Sequence, residues 1–138
     1  MKNEVTIEED KFRIILREER SDTDVRIIDC CTSKNGSLTV GGYDLGKIVN
    51  ELRGNDDYEY DATVTAEDKY ALYIALKKEL FDSPDEFKTW VTDNDIVDVE
   101  ADFNVVLLLM IKKLGLYPHN FRNWAKERGM DVHFWSYP

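Results

Sequence analysis

Apolar and polar residues alternate along the first part of the chain, a pattern typical of antiparallel strands with one face in water. In residues 11–18, Phe12, Ile14 and Leu16 fall on one side of the chain and the arginines on the other. Residues 25–31 read as a second strand. The polar stretch between the two segments predicts a hairpin.

Residues 33–36, Ser-Lys-Asn-Gly, predict a tight turn, because Asn-Gly tolerates positive φ. A short third strand follows, and the glycine pair at 41–42 is expected to end it. Apolar residues at helical spacing over 45–52 then predict a helix, and Gly54 fits its end.

Residues 58–65 form the clearest strand pattern, with tyrosine, alanine and valine alternating with acids and threonines. Thr65 is the expected N-cap of a helix that runs to about Leu80. Tyr70, Tyr73, Ile74, Lys77 and Phe81 are expected along one stripe of this helix. A second short helix is predicted to begin at Ser83-Pro84, with the proline in its first turn.

The second half of the chain nearly repeats itself. Residues 72–78 align with 107–113 at an offset of 35, and Pro84, Phe87 and Trp90 align at an offset of 34 with Pro118, Phe121 and Trp124. This makes 70–100 and 105–134 a candidate degenerate repeat. Two αα-hairpins converging on one pattern explain the match equally well, since a solenoid needs about three or more copies. Core packing is the expected role of the Phe-x-x-Trp pairs.

These elements predict a single α+β domain over residues 1–138, with an N-terminal antiparallel sheet of about four strands. Helices are expected on one face of the sheet, and helical hairpins in the C-terminal half. Residues 1–65 are expected to be mainly β with one helix. Residues 66–138 are expected to be mainly helical with short closing strands. The aromatic-rich stretch 131–137 is expected to dock into the sheet as a terminal strand.

The net charge of −10 is concentrated in one region of the chain. Residues 56–102 hold 15 acids and only four bases, and we call this region the acidic belt. Such a charge disfavours direct contact with nucleic acid or with anionic membranes, since both attract lysine and arginine. No apolar run reaches the ~18 residues that a membrane span needs. We expect no signal peptide and a reducing, cytoplasmic location.

The sequence offers little catalytic chemistry. Cys30 and Cys31 are adjacent, which disfavours a disulfide between them, and one is expected to point inward. His119 and His133 do not have zinc-ligand spacing. Residues 93–102 resemble a calcium loop but lack the required glycine and glutamate. We predict no catalytic residue, no metal ligand and no cofactor.

Part of the chain resembles a known set of proteins. Residues 26–31, 36–49 and 57–61, together with the terminal Phe134-Trp135-Ser136-Tyr137, are similar to small acidic bacterial proteins of gut Firmicutes and their mobile elements. That set is uncharacterised. The resemblance covers about the first half and the C-terminus, while residues 82–130 differ. It implies a bacterial cytosolic origin and an α+β fold, and it carries no catalytic residues.

Charge and composition favour a non-catalytic inhibitor that occupies a basic, nucleic-acid-binding surface of a partner protein, such as a nuclease. Anti-CRISPR, nuclease-inhibitor and toxin-immunity proteins are of this type. A small carboxylate-based enzyme, with a divalent cation at Asp93, Asp95 and Asp98, is the alternative. The predicted partner-binding residues are Asp56, Asp57, Glu59, Asp61, Asp82, Asp85, Glu86, Asp93, Asp95, Asp98, Glu100 and Asp102.

Overall fold

The computed structural model describes residues 3–22, 24–46 and 57–137, and these form an α+β fold. Within them lie six strands: β1 Thr6–Glu8, β2 Lys11–Arg20, β3 Asp24–Ser33, β4 Leu38–Gly46, β5 Asp57–Val64 and β6 Val132–Tyr137. The described helices are α1 Lys69–Leu80, α2 Pro84–Asp93, α3 Phe103–Leu114 and α4 Pro118–Glu127, and a 3-10 turn, Ala66–Asp68, precedes α1.

The strands form one antiparallel sheet in the order β1-β2-β3-β4-β5-β6. Each strand pairs with the next in sequence, and all of the described helices lie between β5 and β6 in the chain. The predicted α+β class is confirmed, and the C-terminal strand pairs with β5 as expected. The prediction of about four strands was too low.

The glycine pair does not end the third strand, because β4 continues through it to Gly46. A Cβ on Gly41 would lie 2.3 Å from Asp61 Oδ1, and a Cβ on Gly42 would lie 2.8 Å from the Tyr60 ring. The glycines therefore admit two β5 side chains, one on each face of the sheet. The helix predicted over 45–52 is wrong at its first two residues, which belong to β4, and its remainder, with Gly54, lies outside the described residues.

The helices cover one face of the sheet, and the core lies between the helices and that face. Inward-facing strand residues such as Ile14, Val40 and Ala62 belong to one buried cluster with the apolar residues of α3, and every α3 residue from Asn104 to Ile111 is buried. On α1 the buried stripe is Lys69, Leu72, Tyr73 and Leu76. The predicted stripe was therefore rotated: Tyr70 is 65% exposed and Ile74 is 45% exposed.

A buried lysine joins α1 to the turn between β3 and β4. Lys69 is 4% exposed, and its Nζ donates to Thr32 Oγ1 and Ser33 O at 2.9 Å and to Gly36 O at 3.1 Å. These three acceptors satisfy the three N–H groups of an ammonium ion. Burial lowers the pKa of Lys69. The predicted turn at 33–36 is present, and this lysine fixes it to the helical layer.

Helices α2 and α4 have matching ends. Each begins with proline in its first turn, and the C-cap residues Asn94 and Arg128 have φ/ψ angles of −98°/14° and −102°/14°. Asp95 and Gly129 follow with positive φ. The amides of Ile96 and Met130 then bond to Val91 O and Ala125 O, both at 3.1 Å, completing the same Schellman-type end. All of these pairs are 34 positions apart.

Candidate protein-binding surface

Helix α2 and the loop after it carry seven acids of the acidic belt: Asp85, Glu86, Asp93, Asp95, Asp98, Glu100 and Asp102. Ser83 caps α2 by accepting from the Glu86 amide at 3.2 Å, and Pro84 occupies the first turn, as predicted. Asp85 and Glu86 in the first turn suit the positive end of the helix dipole. Asp93 lies about two turns further on, on the same side of the helix as these acids.

Some of these acids have local structural roles. Glu86 accepts from the Asp82 amide at 2.9 Å, which completes the cap of α2. Asp98 Oδ1 accepts from the amides of Glu100 and Ala101 at 3.0 and 3.4 Å, an Asx-type turn. Asp95 takes a left-handed conformation, with φ of 59°, at the end of α2.

Other carboxylates of the acidic belt have no partner of opposite charge among the described residues. Within the ranges that the structure describes, no ion pair involves Asp82, Asp85, Asp93, Glu100 or Asp102. All of these except Asp102 are exposed. The four exposed carboxylates are therefore accessible to a basic partner from the described part of the surface.

The loop after α2 also presents an apolar side chain to water. Val97 is 97% exposed, while its neighbour Ile96 is buried at 6%. Asp95 and Asp98, on either side of this pair, are exposed. A single exposed valine is common on protein surfaces, but here it projects from an acidic loop, an arrangement suited to a contact with an apolar centre and a charged margin.

A surface groove lies beside α2. Two aromatic rings, Phe81 and Trp90, line it together with the carboxylates of Asp85, Glu86 and Asp93 and the ammonium of Lys113. The two ring centroids are 5.2 Å apart. Lys113 Nζ lies 6.0 Å from the Phe81 centroid, and Lys77 Nζ lies 4.4 Å from the Phe87 centroid. The aromatic cluster at this surface already holds cations against its rings.

The structure places Asp61 of β5 on the face of the sheet away from the helices. The Tyr60 ring stacks on His119 of α4, so it lies on the helical face. Asp61, its neighbour, lies against Gly41 on the opposite face of the sheet. For Asp57 and Glu59 only the backbone is described, and Asp56 lies outside the described residues.

Cysteines and histidines do not assemble into a site in the described part. Cys30 is buried and Cys31 exposed, as the sequence predicted for one inward-facing thiol. Burial raises the pKa of both thiols. Among the described residues, no group of three or more His, Cys, Asp and Glu side chains could hold a metal, and Asp93, Asp95 and Asp98 do not converge as ligands. No described helix is long and apolar enough to cross a membrane.

Sequence reasoning found the acids but missed the groove. Phe81 was placed on the predicted α1 stripe, and Trp90 was placed in the core as half of a Phe-x-x-Trp pair. The missed signal lies in their neighbours, since Asp85, Glu86 and Asp93 fall on the same side of α2 as Trp90. Lys113 comes from α3 and could not be placed there from spacing alone.

Comparisons with known proteins give no relative from which a role could be carried over. No protein-family model matches the chain, and no match was found among curated proteins or among solved structures.

Proposed function

We propose that this protein is a non-catalytic, acidic inhibitor that binds a basic, nucleic-acid-binding surface of a partner protein. The observation that supports the proposal is the set of exposed carboxylates along α2 and its following loop that have no ion pair with any described residue. A basic surface that binds phosphates presents lysine and arginine at many points, and distributed carboxylates can compete for them.

The arrangement around these acids also suits a protein partner. Val97 and the aromatic groove supply apolar contact area next to the charges. Charge complementarity speeds association and selects the partner, while buried apolar and aromatic side chains contribute most of the binding energy. This is the chemistry of nuclease-inhibitor, toxin-immunity and anti-CRISPR proteins, and we place the chain in that class.

The test uses a variant in which Asp82, Asp85, Asp93 and Glu100 are changed to their amides. The matched control changes Glu8, Asp22, Glu67 and Glu127, four exposed acids elsewhere on the chain, and so alters net charge equally. Each protein is immobilised and exposed to source-cell lysate, and any retained partner is purified and titrated at low and high salt.

We expect the wild type and the control to retain the same basic protein, and the α2 variant to bind it at least about tenfold more weakly. Affinity should fall as salt rises from about 50 to 200 mM. If the two variants bind the partner equally, or if the affinity does not change with salt, the acidic surface is not the contact.

A further inference from the structure

The two matching helices differ in what lies against their tryptophan. On α2 the rings of Phe81 and Phe87 lie beside Trp90, with centroid distances of 5.2 and 6.1 Å. On α4 the guanidinium carbon of Arg128 lies 4.1 Å from the Trp124 ring centroid. The same guanidinium donates to Trp124 O at 2.9 Å and to Glu79 Oε1 at 3.3 Å. It therefore stacks on an indole while a carboxylate neutralises it.

On α2 the corresponding C-cap position holds Asn94. Its amide donates to Trp90 O at 2.9 Å, as Arg128 does to Trp124 O. The asparagine has no cationic group to place over the indole. The carboxylates of Asp85, Glu86 and Asp93 line the groove beside Trp90, so this helix has the aromatic ring and the acids but lacks the guanidinium.

We infer that the groove beside Trp90 is an anchor site for an arginine side chain of the partner. The guanidinium would stack on the indole and pair with the neighbouring carboxylates, as Arg128 does on α4 with Trp124 and Glu79. This inference rests on the proposed function and adds to it the chemistry of one contact. Charge complementarity and the arrangement on α4 identify the occupant as an arginine.

Lys113 limits the strength of the site. Its ammonium lines the same groove and repels an incoming cation. Replacing it with an uncharged residue should strengthen arginine binding. The prediction therefore includes a gain of affinity as well as losses, and a variant that is merely damaged does not produce a gain.

The experiment measures binding of labelled hexa-arginine, hexa-lysine and the neutral hexa-citrulline peptide by fluorescence anisotropy at fixed salt. A planar guanidinium stacks on an indole better than an ammonium does, so we expect the wild type to bind hexa-arginine at least about fivefold more tightly than hexa-lysine. Trp90→Leu should reduce that preference below about twofold, and Lys113→Met should tighten hexa-arginine binding by about threefold. Trp135→Leu, on β6, is the matched tryptophan control and should keep the preference.

The outcomes separate the two proposals. If both cationic peptides bind equally and binding falls with salt, the acidic surface stands and the arginine site is wrong. If neither peptide binds more tightly than hexa-citrulline, both proposals fail. An arginine preference that survives Trp90→Leu also overturns the site. Because Lys113 is exposed, Lys113→Met tests the site even if Trp90→Leu does not fold. The variant should tighten hexa-arginine more than hexa-lysine, whereas an equal gain for both peptides would reflect net charge alone and overturn the site.

Discussion

Helices α2 and α4 share a proline start, a Phe-x-x-Trp pair and the same Schellman-type end, but they occupy different environments. Helix α4 packs against β4, β5 and β6, and Phe121 on it is fully buried. Helix α2 approaches no described strand as closely, and its Phe87 packs among the rings of Tyr73, Phe81 and Trp90.

The charges of the two helices follow this difference. Helix α2 carries Asp85, Glu86 and Asp93 against a single lysine, whereas α4 carries Arg122 and Lys126 against Glu127. Helices with the same caps and the same Phe-x-x-Trp pair thus have different roles: α4 packs under the sheet, and α2 presents a charged surface. The comparison shows that side-chain spacing sets the helix and its caps, while the packing partner decides what the exposed residues can do.

The largest expected effect is the loss of stability when Phe121 of α4 or Phe87 of α2 is changed to alanine. Phe121→Ala should lower the free energy of unfolding by about 4 kcal/mol, because it leaves a cavity under the sheet. Phe87→Ala should cost less, about 3 kcal/mol, since Phe87, although buried, packs among the rings of Tyr73, Phe81 and Trp90 rather than under the sheet. Urea denaturation of both variants measures the difference. Equal losses would mean that α2 is as much a part of the core as α4.

Alkaline pH should lower the stability of the protein through Cys30, which lies in the same core as Phe121. Burial raises the pKa of the Cys30 thiol well above the ordinary value of 9.0. Above that pH the unfolded thiol ionises while the folded thiol stays neutral, so stability should fall by up to about 1.4 kcal/mol per pH unit.

Urea titrations between pH 8 and 11 on Cys30→Ala and Cys31→Ser check this expectation. Cys30→Ala should flatten the slope more than Cys31→Ser does, because Cys31 is exposed. Burial lowers the pKa of Lys69, so Lys69 makes stability rise with pH in this range, opposite to the effect of Cys30. Both variants retain Lys69, so its contribution cancels when their slopes are compared. An equal slope in the two variants would contradict the assignment of the slope to Cys30.

Grafting the α4 arrangement onto α2 should remove the arginine site. In Asn94→Arg the chain's own guanidinium can stack on Trp90, as Arg128 does on Trp124. Hexa-arginine binding should weaken about fivefold with little change in stability. Asn94→Gln, which keeps an amide at this position, is the control for the C-cap bond. Undiminished hexa-arginine binding by the Arg variant would show that the indole is not the contact.

The smallest expected effect is on Arg128 itself. Arg128→Met keeps apolar cover for Trp124 but removes the contacts to Glu79 and to the Trp124 carbonyl. Because Arg128 is a partly exposed surface residue, the loss in a thermal melt should be only about 1 kcal/mol. A much larger loss would mean that the guanidinium is essential to α4, and the analogy with the groove would then be weaker.

Elements with strong local signals were predicted well. The Ser83-Pro84 cap, the buried run of α3 and the alternation of β5 all depend on residues close together in sequence, and the structure contains them. The Thr65 cap is only partly right: Thr65 precedes the 3-10 turn, but its side chain makes no capping bond.

The remaining errors have long-range causes. Strand β1 has three residues and is specified mainly by its pairing with β2, so its own sequence gives little signal. The glycine pair in β4 resembled a strand end because its function depends on Tyr60 and Asp61, about 20 positions away. The acids of the belt could be counted from the sequence, but the position of Asp61 on the far face of the sheet, away from α2, follows from the fold.

That glycine pair constrains how the protein can change over evolution. A methyl group at Gly42 would meet the rigid Tyr60 ring, whereas at Gly41 it would meet the terminal oxygen of Asp61. Homologues that lack glycine at position 42 should therefore carry a smaller residue at position 60, while position 41 should vary more freely. Co-variation between position 42 on β4 and position 60 on β5 would then identify distant relatives whose surface charges have diverged.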